Sequence, residues 1–142
     1  MCISKWVLIA VSFAFASALP GVADDVKEPK RPSDKEINLL LIGRWEGADL
    51  ATGVSGTIHY AKDGTFTADG LVPVGNKKIG INTVGKWSVS GGTISSTVTK
   101  TSRPRIAPVG TEVKEVVNAI DEKSVRFTRG AEQERVRTRV KE

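Results

Sequence analysis

Cysteine and histidine are almost absent from this 142-residue chain, which contains one residue of each. Cys2 stands in an N-terminal stretch that we predict to be removed, so the mature chain would have no thiol, disulfide or thiolate ligand. His59 follows Ile58 in a predicted strand, and alternation places it on the solvent face. Nucleophilic catalysis needs a base beside the nucleophile, and a zinc site needs several His or Cys ligands. The sequence therefore predicts a protein that is not an enzyme and uses no metal or cofactor.

Neither sign of charge dominates, since the formal net charge is +5 with basic and acidic residues mixed along the chain. This balance gives solubility and a weak attraction to anions, and by itself it is not the signature of a nucleic-acid-binding protein. Gly91-Gly92 is not followed by the Lys and Ser or Thr of a phosphate-binding loop. Asp63 and Asp69 each precede a glycine, as in turns, and lack the alternating oxygen ligands of a calcium loop. We therefore expect no nucleic-acid partner.

The first 23 residues have the design of a secretory signal peptide. One lysine, Lys5, precedes an apolar run from Trp6 to Leu19, and small residues lead to Ala23. The run is shorter than the ~20 residues of a membrane span, so a transmembrane anchor is the less favoured alternative. Residues 24–32 are charged and contain two prolines, which predicts a disordered leader. We expect a secreted or periplasmic protein with one domain, residues 33–141.

One short helix is predicted at the start of this domain, from Asp34 to Ile42. Ser33 and Glu36 have the spacing of a capping box, in which each side chain bonds the other residue's backbone amide. Apolar residues follow at helical spacing, and Gly43 can end the helix. So short a helix is marginal alone, and it must dock its apolar stripe. We expect it to lie across one mouth of a barrel.

Short alternating segments separated by turn residues follow the helix. Lys62 to Thr65, with Asp63-Gly64 at its centre, predicts a hairpin with a type I′ turn, and Gly91-Gly92 predicts a second tight turn. The stretch from Asp69 to Lys78 is predicted to be a longer loop. Residues 111–120 fit a helical stripe as well as a strand, and their β-branched residues favour the strand. The predicted strands are Arg44–Asp49, Ser55–Ala61, Thr65–Asp69, Ile79–Ser90, Thr93–Thr101, Thr111–Ile120, Ser124–Arg129 and Glu132–Val140.

A meander of seven or eight such strands can pair each strand with the next and close, which removes the exposed sheet edges. The predicted fold class is therefore all-β, a small antiparallel up-and-down barrel with one short N-terminal helix. In the last strand, alternation predicts that Val136, Thr138 and Val140 face inward. The outer face would then carry a basic patch, which could attract an anionic partner or be a solvated face balanced by nearby glutamates: Arg126, Arg135, Arg137 and Arg139.

The chain resembles the small bacterial lipocalin-like domains of unassigned function, within the calycin-type barrels. The resemblance rests on three motifs: Gly43-Arg44-Trp45, Tyr60-Ala61-Lys62-Asp63-Gly64 and Gly85-Lys86-Trp87. It implies that the helix closes one barrel end and that Trp45 packs there under an arginine of the last strand. Arg135, Arg137 and Arg139 are the candidates, and we assign Arg137 to this barrel-end motif with Gly43 and Trp45. A second signature of the Thr-Asp-Tyr type is absent, and the barrel region is shorter than in large lipocalins.

We expect an exported, non-enzymatic lipocalin-like domain that binds a small apolar or amphipathic ligand inside the barrel. Phe66, Trp87 and Phe127 are the candidate lining residues, with Trp45 as a further aromatic. Two alternatives stay open. A barrel filled by these aromatics would serve a protein-interaction role. A chain with a trunk from Asp24 to Ser33 would resemble periplasmic protease inhibitors, although those usually carry a disulfide.

Overall fold

A computed structural model describes residues 30–49 and 53–142. Each strand pairs antiparallel with the next, and the last pairs with the first, which closes the barrel. The predicted all-β up-and-down barrel with one N-terminal helix is confirmed. The predicted signal peptide and most of the predicted leader lie outside the described residues. The elements are α1 (Asp34–Leu41), β1 (Gly43–Asp49), β2 (Val54–Tyr60), β3 (Thr65–Val74), β4 (Lys77–Ser90), β5 (Thr93–Thr101), β6 (Glu112–Ile120), β7 (Ser124–Thr128) and β8 (Arg135–Arg139).

The capping box predicted for α1 is present. The Glu36 amide donates to the Ser33 hydroxyl at 3.3 Å, and the Ser33 amide donates to the Glu36 carboxylate at 2.8 Å. Ile37 and Leu41 are fully buried, so α1 docks its apolar face on the barrel. The amides of Gly91 and Gly92 donate to the Asp34 carboxylate, at 2.9 and 2.7 Å. The first turn of α1 is therefore tied to the hairpin between β4 and β5.

The two predicted hairpin turns differ in outcome. Gly91 and Gly92 both have positive φ, 58° and 74°, and connect the paired ends of β4 and β5 as a two-residue turn. The predicted type I′ turn at Asp63-Gly64 is wrong, because Gly64 has φ 85° whereas no described non-glycine residue has positive φ. The Asp63 carboxylate instead accepts from the amide of Thr65 at 2.9 Å and from its hydroxyl at 2.6 Å. This local acceptor favours a longer loop with glycine alone in the left-handed region.

The predicted long loop from Asp69 to Lys78 is also wrong, because β3 continues to Val74 and β4 begins at Lys77. Pro73 suggested a break in the strand, since proline cannot donate to a sheet ladder. The pairing of β3 with β2 ends at Leu71, so Pro73 has a strand neighbour on one side alone. A proline is tolerated at such an edge position. The ambiguous segment 111–120 forms β6, which confirms the predicted strand.

The predicted facing of β8 is wrong. Arg137 pairs directly with Val125, and Arg135 pairs with Phe127. Val125 and Phe127 are buried, and directly paired residues point to the same face of a sheet, so the arginines point into the barrel. Val136 accordingly lies outside with 51% of its surface exposed. Thr138 is exposed as well, and Val140 follows the end of the strand. Hydrophobicity alone therefore predicted the wrong face for β8, because each inward arginine has an acidic or carbonyl partner.

Gly85 permits the tightest contact inside the barrel. The β4–β5 register shifts between Val84 and Gly85, which marks a β-bulge. A Cβ atom at Gly85 would lie 2.0 Å from the Thr97 carbonyl oxygen and 2.6 Å from the Phe66 ring. Only glycine fits, because a side chain there would displace backbone. The bulge lets Phe66 pack against the backbone of β4.

The barrel closes at a short seam. The two pairs Trp45↔Arg139 and Glu46↔Thr138 join β1 to β8, whereas β1 pairs with β2 along its whole length from Gly43↔Tyr60 to Asp49↔Val54. Both seam pairs lie at the end of the barrel that α1 covers. Towards the opposite end, β1 and β8 are not paired, so that end is the more open one.

Candidate ligand cavity and its polar floor

Trp45 lies at the closed end of the barrel, where it is fully buried. Its indole Nε1 donates to the Leu41 carbonyl at 2.8 Å, which joins it to the last turn of α1. The Arg139 guanidinium carbon lies 4.3 Å from the centroid of the Trp45 ring, within cation–π range. The arginine over Trp45 is therefore Arg139, and the assignment of Arg137 to this role is wrong. Arg139 is the direct strand partner of Trp45, whereas Arg137 lies one pleat farther into the barrel.

Arg139 also satisfies three backbone carbonyls. Its Nη1 donates to Ile42 at 2.9 Å, its Nε donates to Glu122 at 2.8 Å, and its Nη2 donates to Leu40. A Cβ atom at Gly43 would lie 2.4 Å from Arg139 Nη1, and Gly43 has φ 130°. Gly43 thus leaves room for the guanidinium between the helix end and the turn after β6. Gly43, Trp45 and Arg139 form a structural cluster at the barrel end, in place of the predicted set of Gly43, Trp45 and Arg137.

Trp87 belongs to the closed end as well, and it is not among the residues that line the cavity at the opposite end. It is 8% exposed, and its Nε1 donates to the Ala61 carbonyl at 3.1 Å. Its ring meets Tyr60 edge to face, with 5.4 Å between ring centroids. Together with Ile37 and Trp45, these side chains form the plug at the helix end. The prediction that Trp87 lines a ligand cavity therefore does not match its position.

A cavity of about 540 Å³ opens at the other end of the barrel. Phe66 and Phe127 line it, as expected from the sequence, and both are almost fully buried. Its walls are largely apolar and include Ile58, Ala68, Val98 and Val113. The loop containing Ile106 borders its mouth.

A pair of opposite charges lies at the inner end of this cavity. The Glu115 residue is 3% exposed, and the Arg137 side chain is 14% exposed. Arg137 Nη1 lies 2.8 Å from Glu115 Oε2, and Arg137 Nη2 donates to Glu115 Oε1 at 3.0 Å. The contact to Oε2 is an ion pair without hydrogen-bond geometry, because the buried Glu115 Oε2 has no hydrogen-bond partner among the described residues. The guanidinium also lies 4.2 Å from the centroid of the Phe127 ring, and its Nη1 donates to the Tyr60 hydroxyl at 3.2 Å.

A second guanidinium, that of Arg129, reaches the same carboxylate. Its Nη2 lies 3.4 Å from Glu115 Oε1, a longer contact than either made by Arg137. The Nε of Arg129 is buried and has no hydrogen-bond partner among the described residues. The buried Ser96 side chain also lines this end of the cavity. We call this group the polar floor: Ser96, Glu115, Arg129 and Arg137.

Burial sets the protonation states around the polar floor. It raises the pKa of the Tyr60 hydroxyl to about 12, and the positive charge of Arg137 offsets part of that rise. Burial by itself lowers the pKa of Arg137, but the pull of Tyr60 and Glu115 outweighs it, so that pKa is raised. At neutral pH, Tyr60 is therefore an uncharged hydroxyl and Arg137 a full cation. The floor holds two guanidinium groups against one carboxylate.

Charges nearer the mouth are compensated locally. Arg135 and Glu132 form an ion pair at 2.5 Å, with 21% and 51% of their side chains exposed. Asp69, exposed on the rim, accepts from the Asn82 amide at 2.7 Å. Apolar side chains also remain exposed at the mouth, since Val54 is 37% exposed and Ile106 is 41% exposed.

The predicted basic surface patch does not form as a unit. Arg126 alone of its four members lies on the outer face, where it pairs with Glu134 at 3.7 Å. Its direct partner on β8 is Val136, not an arginine. The other three members point inward at successive depths, with Arg135 near the mouth, Arg137 at the floor and Arg139 at the closed end. The sequence prediction failed here because it gave β8 the opposite facing.

Sequence reasoning also missed Glu115 and Arg129 as members of a site. Glu115 occupies the inward position between Val113 and Val117 on β6, where alternation favours an apolar residue. An acid that interrupts the inner face of a strand is the signal that could have revealed it, since buried carboxylates are paired. Arg129 continues the inward alternation of Val125 and Phe127 just beyond β7.

His59 pairs with Arg44 and Thr67 on the outer face of the barrel, away from the cavity. Within residues 30–49 and 53–142, no group of three or more His, Cys, Asp and Glu side chains is placed to share a metal ion. In that same part of the chain, no helix has the length and apolar character to cross a membrane. No protein-family model matches the sequence, and no curated protein is significantly similar to it.

Proposed function

We propose that this chain is an exported, non-enzymatic lipocalin-like protein that binds a small apolar or amphipathic ligand in its barrel. The cavity of about 540 Å³ is the observation that carries the proposal. Small-molecule sites in proteins typically enclose about 300–1,000 Å³ and have mainly apolar walls with a few polar groups. An eight-stranded barrel has room either for side chains alone or for one small ligand. The cavity favours the second case over a filled barrel with a protein-interaction role.

The two ends of the barrel support the same function. The plug of Trp45 and Trp87 beneath α1 closes one end, so a ligand enters through the opposite mouth. The exposed Val54 and Ile106 at that mouth give an apolar ligand its first contacts. Export is supported by the apolar run and small-residue exit of residues 1–23. Residues 24–29 of the trunk that a protease inhibitor would require lie outside the described residues.

Titration with the neutral fluorescent probe N-phenyl-1-naphthylamine tests this function. We expect saturable binding to the purified protein with a large rise in fluorescence, because the probe moves from water to an apolar cavity. Ala68→Phe places a ring in the cavity and should reduce probe affinity by about tenfold or more, which corresponds to about 1.4 kcal/mol. Val109→Phe is the matched control, because Val109 is 62% exposed and lies outside the cavity.

Circular dichroism should show that both variants remain folded, since overpacking costs about 1–3 kcal/mol. Equal probe affinity in Ala68→Phe and the parent protein would place the probe outside the barrel and refute the proposed site. The absence of any saturable binding would refute the function.

A further inference from the structure

The polar floor has an unbalanced charge. Arg129 and Arg137 carry two positive charges, and Glu115 carries the one negative charge in contact with them. The Arg129 side chain is 36% exposed, but its Nε is buried without a hydrogen-bond partner among the described residues, and a buried polar group without a partner is costly. Arg129 lines the cavity, which opens to solvent. The missing partner is therefore a negative charge that can enter through the mouth.

The guanidinium groups of Arg137 and Arg129 differ in how many of their donors have a partner. Arg137 engages both oxygens of Glu115, donates to Tyr60 and stacks on Phe127. Arg129 makes one long contact of 3.4 Å to a carboxylate that Arg137 already engages. Its buried Nε has no hydrogen-bond partner among residues 30–49 and 53–142. Arg129 is thus the cation with donors left for a further group.

The other charges around the cavity do not correct this imbalance. Glu132 is held by Arg135 at 2.5 Å, and half of its side chain is exposed to solvent. Asp69 is on the rim and is bonded to Asn82. Both acids therefore have partners of their own, whereas Arg129 shares its one carboxylate with Arg137. The positive excess at the floor therefore determines which ligand charge the cavity favours.

We propose that the ligand is an amphipathic anion, whose carboxylate, phosphate or sulfate headgroup binds at the polar floor against Arg129. This inference rests on the proposed function and specifies the ligand class. The tail lies along Ile58, Val98 and the other apolar wall residues and points towards the mouth. Arg137 and Glu115 hold the floor in shape behind the headgroup. A guanidinium suits these headgroups because its planar donors match two oxygens at once.

Other ligand charges fit the floor less well. A neutral polar group would leave the charge excess of Arg129 and Arg137 in place. A cationic headgroup would add a third positive charge beside two guanidinium groups, and like charges repel. An anion alone removes the excess, since it brings the floor to two positive and two negative charges.

A matched ten-carbon series tests the inference, with displacement of N-phenyl-1-naphthylamine as the readout. Decanoate, decyl phosphate, decanol and decyltrimethylammonium share one tail and differ in headgroup charge. We expect decanoate and decyl phosphate to bind at least about tenfold more tightly than decanol, because one charge-assisted hydrogen bond is worth about 1.4 kcal/mol or more. Decyltrimethylammonium should bind more weakly than decanol.

Arg129→Met keeps an apolar side chain of similar length and removes the charge. This variant should lose about tenfold or more of its decanoate affinity while its affinity for decanol stays the same. Arg129→Lys should recover part of the decanoate affinity, because it restores the charge without the planar donors. Arg126→Met is the control, since Arg126 is an arginine on the outer face of the neighbouring strand β7. It should change neither affinity.

Three outcomes would overturn the inference, and they are distinguishable from one another. Equal affinity of the parent protein for decanoate and decanol would refute an anionic ligand class and leave the proposed function intact. Equal loss of decanoate and decanol affinity in Arg129→Met would show that Arg129 supports the cavity rather than binding the headgroup. Failure of both the probe and all four ten-carbon compounds to bind would refute the proposed function together with the inference.

Discussion

The two ends of this barrel are built by different means. At the closed end, the turns after β2, β4 and β6 are short, and aspartate carboxylates accept their backbone amides: Asp63, Asp34 and Asp121. At the open end, the connections include the long stretches 102–111 and 129–134, and the β1–β8 seam is unpaired. One end is therefore organised for stability, whereas the other leaves a cavity with a charged floor. The packed plug and the cavity thus lie at opposite ends of the barrel axis.

The same contrast appears within one strand. Arg139 and Arg137 are two residues apart on the inner face of β8, and each lies over an aromatic ring. Arg139 donates to backbone carbonyls, which every sequence supplies at the end of a helix and at a turn. Arg137 instead depends on one specific carboxylate, that of Glu115. Each inward arginine is thus held in place by its own acceptors. The acceptors of Arg139 belong to the main chain at the closed end, whereas Glu115, the acceptor of Arg137, is a side chain that lines the cavity.

The largest test of this comparison is Trp45→Ala. Removal of a fully buried tryptophan should lower the free energy of unfolding by about 3–5 kcal/mol. Urea denaturation followed by circular dichroism measures the effect. Val109→Ala, at an exposed position of the open end, should change stability by less than about 0.5 kcal/mol. A Trp45→Ala protein that unfolds at the parent's urea concentration would show that the closed end does not hold the barrel together.

Asp34→Ala should have an intermediate effect. The substitution removes the carboxylate that accepts from Gly91 and Gly92, which ties α1 to the β4–β5 hairpin. We expect a loss of about 1–2 kcal/mol in the free energy of unfolding, because these are charge-assisted bonds at a partly exposed position. Lys35→Ala is the control, since Lys35 is the next residue of the helix and is exposed. Equal melting temperatures for the two variants would show that the hydrogen bonds from Gly91 and Gly92 to Asp34 add nothing to the stability of the fold.

The smallest expected effect is acid sensitivity of the closed end. Hydrogen bonds from Ser33 lower the pKa of Glu36, and hydrogen bonds in their own turns lower the pKa values of Asp63 and Asp121. Their stabilisation is fully present above the ordinary values, 4.5 for Glu36 and 3.8 for the aspartates, and is lost as the pH falls through the lowered values. Melting temperatures of Glu36→Gln should fall less steeply below pH 4.5 than those of the parent, whereas Glu142→Gln should follow the parent. Parallel curves for Glu36→Gln and the parent would contradict this assignment.

Local patterns in the sequence were sufficient to predict most of the fold. Three features depend on residues close together in the chain, and each was predicted correctly: the Ser33–Glu36 capping box, the Gly91-Gly92 turn and the strand Thr93–Thr101. The Asp63-Gly64 turn was predicted in the wrong conformation. The rule that Asp-Gly forms a type I′ turn takes no account of the hydrogen bond that the Asp63 carboxylate accepts from Thr65. The part of β3 beyond Asp69 was missed because it contains Pro73. A strand tolerates a proline where it has no neighbour on one side, and the sequence alone does not show which strands are neighbours.

The candidate site could be predicted only in part, for a physical reason. Phe66 and Phe127 follow from apolar alternation, whereas the facing of β8 depends on which side offers partners for its arginines. Those partners, Glu115 for Arg137 and the main chain near α1 for Arg139, come from distant parts of the sequence. A pattern within β8 holds no information about them. Polar groups inside a barrel are specified by tertiary contacts, so they require the structure.

The short β1–β8 seam has a consequence for the order of folding. The seam joins the first strand to the last, so forming it closes the longest loop in the sheet and has the largest cost in chain entropy. The two residue pairs of the seam offset that cost. The consecutive hairpins need no such closure and should form first. Trp45 is therefore buried under Arg139 only when both ends of the domain have met. The fluorescence of Trp45 would follow the final closure of the sheet into a barrel.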